Sequence, residues 1–312
     1  TGTVQLSGAD DFGVSEGGLT INSIRDPFVN GRLDRTITDA GSTQVLGFHF
    51  EAALDGAVTD IDAISAGSVG YRLNIGLPDG TSAAFAYDPS LEGVEATTLA
   101  AGLAAAMREE APASSITGSA LASLPPQGAQ VKFMLGSQGY AVRMTAAGPK
   151  VVGPEPDRLN AYFNDANQLV VETVGGHLDG APLRIPPDAA DAARFGLGVD
   201  DLPQTRLTGQ PFDAADLPTS FVVNAAGTDY TFTASAGGLS APADFPGSTE
   251  YDDVTGAFSI TVDARLGDVR VLPGQGAQAA GFKTIGAELA VAGDQLAIST
   301  SDGRVLDLTA QT

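Results

Sequence analysis

Asn167-Gln168-Leu169-Val170-Val171-Glu172-Thr173-Val174-Gly175-Gly176 and Asp294-Gln295-Leu296-Ala297-Ile298-Ser299-Thr300-Ser301-Asp302-Gly303 share one grammar. A polar pair opens each run, Leu169 or Leu296 begins an alternation with Val171 or Ile298, and Thr173 or Thr300 leads towards glycine. Alternation at period two that ends at glycine predicts a strand followed by a tight turn. Each run also lies near an alanine-rich segment with a Phe-Gly or Gly-Phe pair. These are Asp191-Ala192-Ala193-Arg194-Phe195-Gly196-Leu197-Gly198 after the first run and Ala277-Gln278-Ala279-Ala280-Gly281-Phe282 before the second. Together they predict an internal repeat of a structural unit.

Upstream of the first run, residues 69–75 and 83–87 alternate on either side of Pro78-Asp79-Gly80, a sequence suited to a hairpin turn. Residues 97–110 place Leu99, Leu103 and Met107 at four-residue spacing, which predicts a helix with one apolar stripe and Met107 in the core. Residues 112–127, rich in Ser, Pro and Ala, read as a loop before strands at 130–135 and 140–145. Residues 149–156 read as a bend, 183–185 as a short strand and 189–194 as a helical turn. Downstream, 220–224 and 230–233 predict a second hairpin, followed by strands at 257–262, 269–272, 288–291, 296–300 and 305–308, with no second clear helix. Nearer the start, 18–24 and 43–54 carry strand-like runs. The expected fold class is mainly β with minor α, an α+β arrangement of antiparallel sheets in two or three domains, each with at most one packed helix. The expected domains are an N-terminal β-rich segment over 1–65, an α+β repeat module over 66–200 and a β-rich second module over 201–312.

The chain has 312 residues and a formal charge of -22, from 38 acidic against 16 basic residues. Such a balance argues against nucleic acid or an anionic membrane surface as a partner, because both require counter-charge. Cysteine and tryptophan are absent and aromatics make up 6% of the residues, so the expected cores are built from Val, Leu, Ile and Ala. Thiolate metal sites, disulfides and cysteine catalysis are thereby excluded. No run approaches 18 consecutive apolar residues, so membrane insertion is not expected. The start, Thr1-Gly2-Thr3-Val4, has no signal-peptide character, and the chain is expected to be a piece of something longer.

The chemical inventory is thin. Asp55, Asp60 and Asp62 are spaced like calcium ligands but lack the loop glycine and the closing bidentate Glu, so a solvated turn is expected. The two histidines, His49 and His177, lack the close pairing that zinc sites use. Ser68 and Ser137 each follow a glycine without the rest of a nucleophile elbow. Tyr251-Asp252-Asp253 sets an aromatic residue beside acids, yet reads more simply as a polar loop. The expectation is no catalytic residue, no metal, no cofactor and no enzyme.

One family resemblance extends this reading. A strand at 73–75, the helix at 99–107, the strand at 169–173 and the closing Ala-Ala-x-x-Gly-Leu-Gly at 192–198 resemble the small repeats in the outer domains of flagellar axial proteins, the flagellins and hook-associated proteins. Ile24-Arg25-Asp26-Pro27-Phe28-Val29 with Arg32-Leu33 is similar to the Asp-x-Phe-x-x-x-x-Leu-Arg neighbourhood of the hook-associated (hook–filament junction) proteins, except that Asp34 intervenes before Arg35. The resemblance implies a structural component of the extracellular bacterial flagellum. Its partners would be other copies of itself and other axial proteins, contacted through the parent chain, and its chain would cross an export channel unfolded. Neither end shows the heptad pattern of the assembling helices, so the expected part is the exposed outer portion. The alternative is an extracellular adhesin or binding module with β-rich domains, which predicts an exposed aromatic or calcium-ordered site on an end domain.

Overall fold

The computed structural model describes residues 12–15, 18–21, 32–36, 43–47, 71–87, 99–189, 191–292, 295–300 and 307–311. The chain forms two compact units, the first made of Thr1–Glu109 with Ile285–Thr312 and the second of Glu110–Thr284. The fold is mainly β with minor α. The boundary expected near 65 lies outside the described residues, and the one expected at 200 falls inside the second unit.

In the first unit, β1 (Phe12–Ser15), β2 (Gly18–Ile21) and β4 (Thr43–Gly47) share a sheet with β20 (Ala287–Ala292) and β21 (Gln295–Thr300), in the order β1-β2-β4-β21-β20. The β2–β4 pair is parallel and the others are antiparallel. A second sheet runs β3 (Arg32–Thr36), β22 (Asp307–Gln311), β5 (Tyr71–Gly76) and β6 (Ser82–Tyr87). The predicted 69–87 hairpin is present as β5–β6. Helix α1 (Leu99–Glu110) buries Leu103 and Met107, as its stripe requires. Gly102 lies so close to the Tyr87 ring that an added methyl group would overlap it. Thr97 and Thr98 lie outside the described residues.

The second unit is a duplication. Its first copy runs β7 (Ala113–Thr117), the meander β8 (Gln130–Leu135), β9 (Gln138–Thr145) and β10 (Gly148–Val152), then the hairpin β11 (Leu159–Phe163) and β12 (Leu169–Thr173). A single bridge between Arg184 and Met134 and a 3-10 turn at Ala192–Phe195 complete it. The second copy repeats every step. It has β13 (Gln204–Thr208), the meander β14 (Thr219–Ala225), β15 (Thr228–Ser235) and β16 (Gly238–Ser240), and the hairpin β17 (Gly247–Asp252) and β18 (Ala257–Asp263). Its β19 (Val269–Val271) sets Arg270 opposite Asn224, and helix α2 (Gln275–Ala279) follows. Details recur as well: Thr145 and Ser235 each donate a hydroxyl to the carbonyl three residues on, at Gly148 and Gly238.

The two copies meet at β7 and β13, the middle of a six-stranded sheet ordered β11-β12-β7-β13-β18-β17. Gly118 and Gly209, each just past its strand, donate to Leu169 O and Phe258 O, which fixes the correspondence of the copies. Under that correspondence Ser115 and Arg206 are equivalent, and they are also cross-strand partners. A local two-fold axis therefore passes through this pair. Each copy keeps its own core: Val131, Phe133, Val142 and Leu169 in the first answer to Phe221, Val223, Phe232 and Phe258 in the second. The swap of Val131 and Phe133 for Phe221 and Val223 conserves volume, the kind of exchange that cores tolerate.

The repeat is closed by the two alanine-rich segments. Leu197 N–H donates to Ala192 O (3.0 Å) and Gly196 N–H to Ala193 O (3.2 Å), while Phe282 N–H donates to Ala277 O (2.8 Å) and Gly281 N–H to Gln278 O (2.9 Å). Both are Schellman caps, with the glycine left-handed at φ 68° and 82°. The residue after each glycine and the alanine at the head of each cap are buried together.

Several expectations are corrected. The strand that corresponds to 169–173 is β18; the 296–300 run, although a strand, belongs to the first unit. The expected loop at 112–127 contains β7, the bend at 149–156 overlaps β10, the helical turn at 189–194 narrows to Ala192–Phe195, and α2 supplies a second, five-residue helix. Strands β7 and β13 escape a hydropathy reading because each carries one large apolar residue, Ile116 or Leu207, among small and polar ones. Their inward hydroxyls are nevertheless buried and satisfied. Ser114 Oγ accepts from Leu183 N–H (2.9 Å), and Thr205 Oγ1 donates to Leu183 O (2.5 Å).

Candidate functional site

The loop that follows β12 brings His177 into the interior. Arg158, itself buried, donates to Val174 O (2.7 Å) and Gly176 O (2.9 Å) and holds the loop down. His177 N–H donates to Pro112 O (3.1 Å), and His177 Nδ1 contacts Asp179 Oδ1, which also accepts from Ala181 N–H (2.7 Å). Both side chains are buried, and their partners explain them as the fastening of a turn. His49, Asp55, Asp60, Asp62 and Ser68 lie outside the described residues. Ser137 sits in the two-residue turn between β8 and β9.

The expectation that the chain has no nucleophile elbow is corrected in its spacing, though not in its geometry. Gly13-Val14-Ser15-Glu16-Gly17 has the Gly-x-Ser-x-Gly spacing of a nucleophile elbow. That elbow needs a strand turning into a helix. Ser15 instead ends β1 opposite Gly18 of β2, in an antiparallel hairpin.

Tyr251-Asp252-Asp253 is where structure adds most to the sequence. Tyr251 and Asp252 end strand β17, so the polar loop expected there begins only at Asp253. Asp252 Oδ1 accepts from Val254 N–H (2.9 Å) and Thr255 N–H (3.3 Å), and Gly256 N–H closes on Asp252 O (2.8 Å). The Val254 N–H, the Thr255 hydroxyl and N–H, and the charge of Arg206 hold the Asp252 carboxyl below its ordinary 3.8. A general acid needs the opposite shift. Phe212, from the stretch after β13, stacks on buried Phe258 at 4.4 Å and 8° and lies 6.0 Å from the Tyr251 ring. Tyr251 is 42% exposed and Val254, at the hairpin tip, is 89% exposed. The sequence signal was the Pro211-Phe212-Asp213 run, whose proximity to Tyr251 only the β13–β18 pairing reveals.

Among the described residues, a cleft bordered by Leu183, Thr205, Val262 and Leu266 offers about 10 Å³, room for one water rather than a substrate. No known protein family, curated protein or solved structure matches this chain.

Proposed function

We propose that this chain is the exposed outer portion of a bacterial flagellar axial protein, a hook-associated protein or a flagellin, with a structural role outside the cell. The observation that carries the reading is the closing Ala-Ala-Arg-Phe-Gly-Leu-Gly segment. It resembles the repeats of those outer domains, its Ala192, Phe195 and Leu197 are buried, and its cap recurs at Ala277–Phe282. Residues that carry a family signature and are used up in packing suit a scaffold. The cysteine-free and tryptophan-free composition suits a chain exported unfolded. Segments 73–75 and 99–107 of the same resemblance belong to the first unit, apart from 169–173 and 192–198, so the support rests on the closing segment. The test is immunogold electron microscopy with antibodies raised against the 312-residue chain. Label along or at the base of sheared flagella is expected. Label confined to the cell envelope, on cells whose filaments stay bare, would reject the reading.

The second reading, an extracellular adhesin or binding module, is favoured by one observation, the partly exposed Phe212–Tyr251 pair. Envelope label in the same experiment is the outcome that supports it.

A further inference from the structure

The duplication supplies an internal control, because what the second copy carries beyond the first is not required to build the fold. Phe163 pairs with Leu169 as Tyr251 pairs with Phe258, so Phe163 and Tyr251 are equivalent, and Ala166 then answers to Val254. Counting from Gly118 and Gly209, Leu121 answers to Phe212, Ala122 to Asp213 and Pro125 to Asp216. Asn164, which heads its turn by accepting from Ala166 N–H (3.1 Å) and Gln168 N–H (3.0 Å), answers to Asp252. The first copy therefore has a hairpin one residue shorter, with a smaller apolar tip and three fewer acids. In the second copy this end carries a second ring, Phe212 in place of Leu121, a more exposed one, Tyr251 in place of Phe163, and more acids.

We propose that the face formed by Phe212, Tyr251 and Val254 is a docking surface for a cationic peptide segment rich in arginine or lysine. Aromatic rings attract ammonium and guanidinium groups through their faces. Three exposed acids flank the rings in the chain, Asp213 and Asp216 just after Phe212 and Asp253 two residues after Tyr251, whereas Asp252 alternates to the Arg206 face of the strand. Arg206, whose charge reaches Asp252 on the other face, is engaged with Glu250 at 3.0 Å. The tip is pre-organised: Asp252 fixes the turn that projects Val254, and Asp213 fixes the 3-10 turn Ala214–Asp216 by accepting from Ala215 N–H (2.9 Å). Rigid, half-exposed aromatic anchors are the features that carry binding energy at interfaces. A second copy of this chain is disfavoured as the occupant, because 38 acids against 16 bases make copies repel one another. The inference stands whether the parent protein is a filament component or an adhesin.

The probe is a fluorescein-labelled hexaarginine peptide, titrated by fluorescence anisotropy into the 312-residue chain at about 0.15 M salt, where distant charges are largely screened. Tyr251→Ser is expected to weaken binding roughly five- to tenfold. Asp253→Asn is expected to weaken it several-fold, and its first-copy counterpart Asp165→Asn to leave it unchanged. Val254 is 89% exposed, so Val254→Ser leaves the unfolding midpoint intact and is expected to weaken binding about twofold, while Tyr251→Ser, whose ring also packs on Phe258, is compared only at a temperature where circular dichroism shows it fully folded. Equal losses from Asp253→Asn and Asp165→Asn would show only diffuse charge attraction and overturn the proposal. No measurable binding, or full binding by Tyr251→Ser, would overturn it too. Tyr251-dependent binding of neutral oligosaccharides without peptide binding would reassign the face to sugar.

Discussion

Gly196 and Gly281 each stand at left-handed φ against another backbone. A β-carbon on Gly196 would lie 2.4 Å from Ser119 O, and one on Gly281 would lie 2.1 Å from Gln210 O. Those same segments are joined by Ser119 N–H to Gly196 O (2.8 Å) and Gln210 N–H to Gly281 O (2.7 Å), so neither can draw away without losing a bond. Gly196→Ala or Gly281→Ala is expected to cost roughly 2–4 kcal/mol, read as a fall in the urea midpoint. Gly227→Ala, also at positive φ but with open space around it, isolates the backbone term and is expected to cost about 1 kcal/mol. Asp252 makes a prediction of opposite kind. Its carboxyl is held low in the folded chain, so the stability it contributes is present above the unfolded value and is lost as pH falls through the folded one. An NMR titration should find Asp252 still ionised below pH 3.8, and Asp252→Asn should flatten stability in that acid window. A titration midpoint at or above the ordinary carboxylate value would contradict this account.

Among the elements, β7 and β13 do the joining and were the hardest to see. Hydropathy alternation located the first two strands of each meander, because Val131, Phe133 and Leu135 face inward and Lys132 outward, but neither third strand, β10 or β16. It failed for the two central strands, where burial rests on hydroxyl groups whose partners are distant in the chain. Thr205→Val keeps the shape but removes the donor to Leu183 O, and is expected to cost about 1–3 kcal/mol. If Thr205→Val unfolds at the wild-type midpoint, that hydrogen bond contributes nothing. The alanine-rich closing segments were legible as a pair because a cap leaves a local signature of small residues, glycine and one large apolar residue. The aromatic tip was legible only in halves: Tyr251 beside acids was visible, and Phe212 was not, since no local pattern reports a contact made across two strand pairings.

For the molecule as a whole, the second unit interrupts the first. The chain enters it at Glu110 and leaves it near Lys283, and those two side chains form an ion pair, with Gln210 Nε2 donating to Ala111 O nearby (3.3 Å). The first unit closes only when the C-terminal residues return, since β21 lies inside one of its sheets and β22 inside the other. Truncation after Thr284 is therefore expected to abolish the first unit while residues 110–284 keep a cooperative unfolding transition, followed by circular dichroism and limited proteolysis. Loss of both transitions together would show that the units depend on each other for folding.

The two-fold axis through Ser115 and Arg206 has an evolutionary consequence. Symmetry of that kind, centred on an antiparallel strand pair, is what an isologous dimer leaves behind when its gene is doubled and fused. Fusion makes the partner permanently local, so the pairing of β7 with β13 no longer falls apart on dilution as a two-chain dimer would. A lone first copy is accordingly expected to self-associate or fail to fold, and a stable monomer of it would argue against fusion. Once fused, one half can hold the ancestral surface while the other explores a new one.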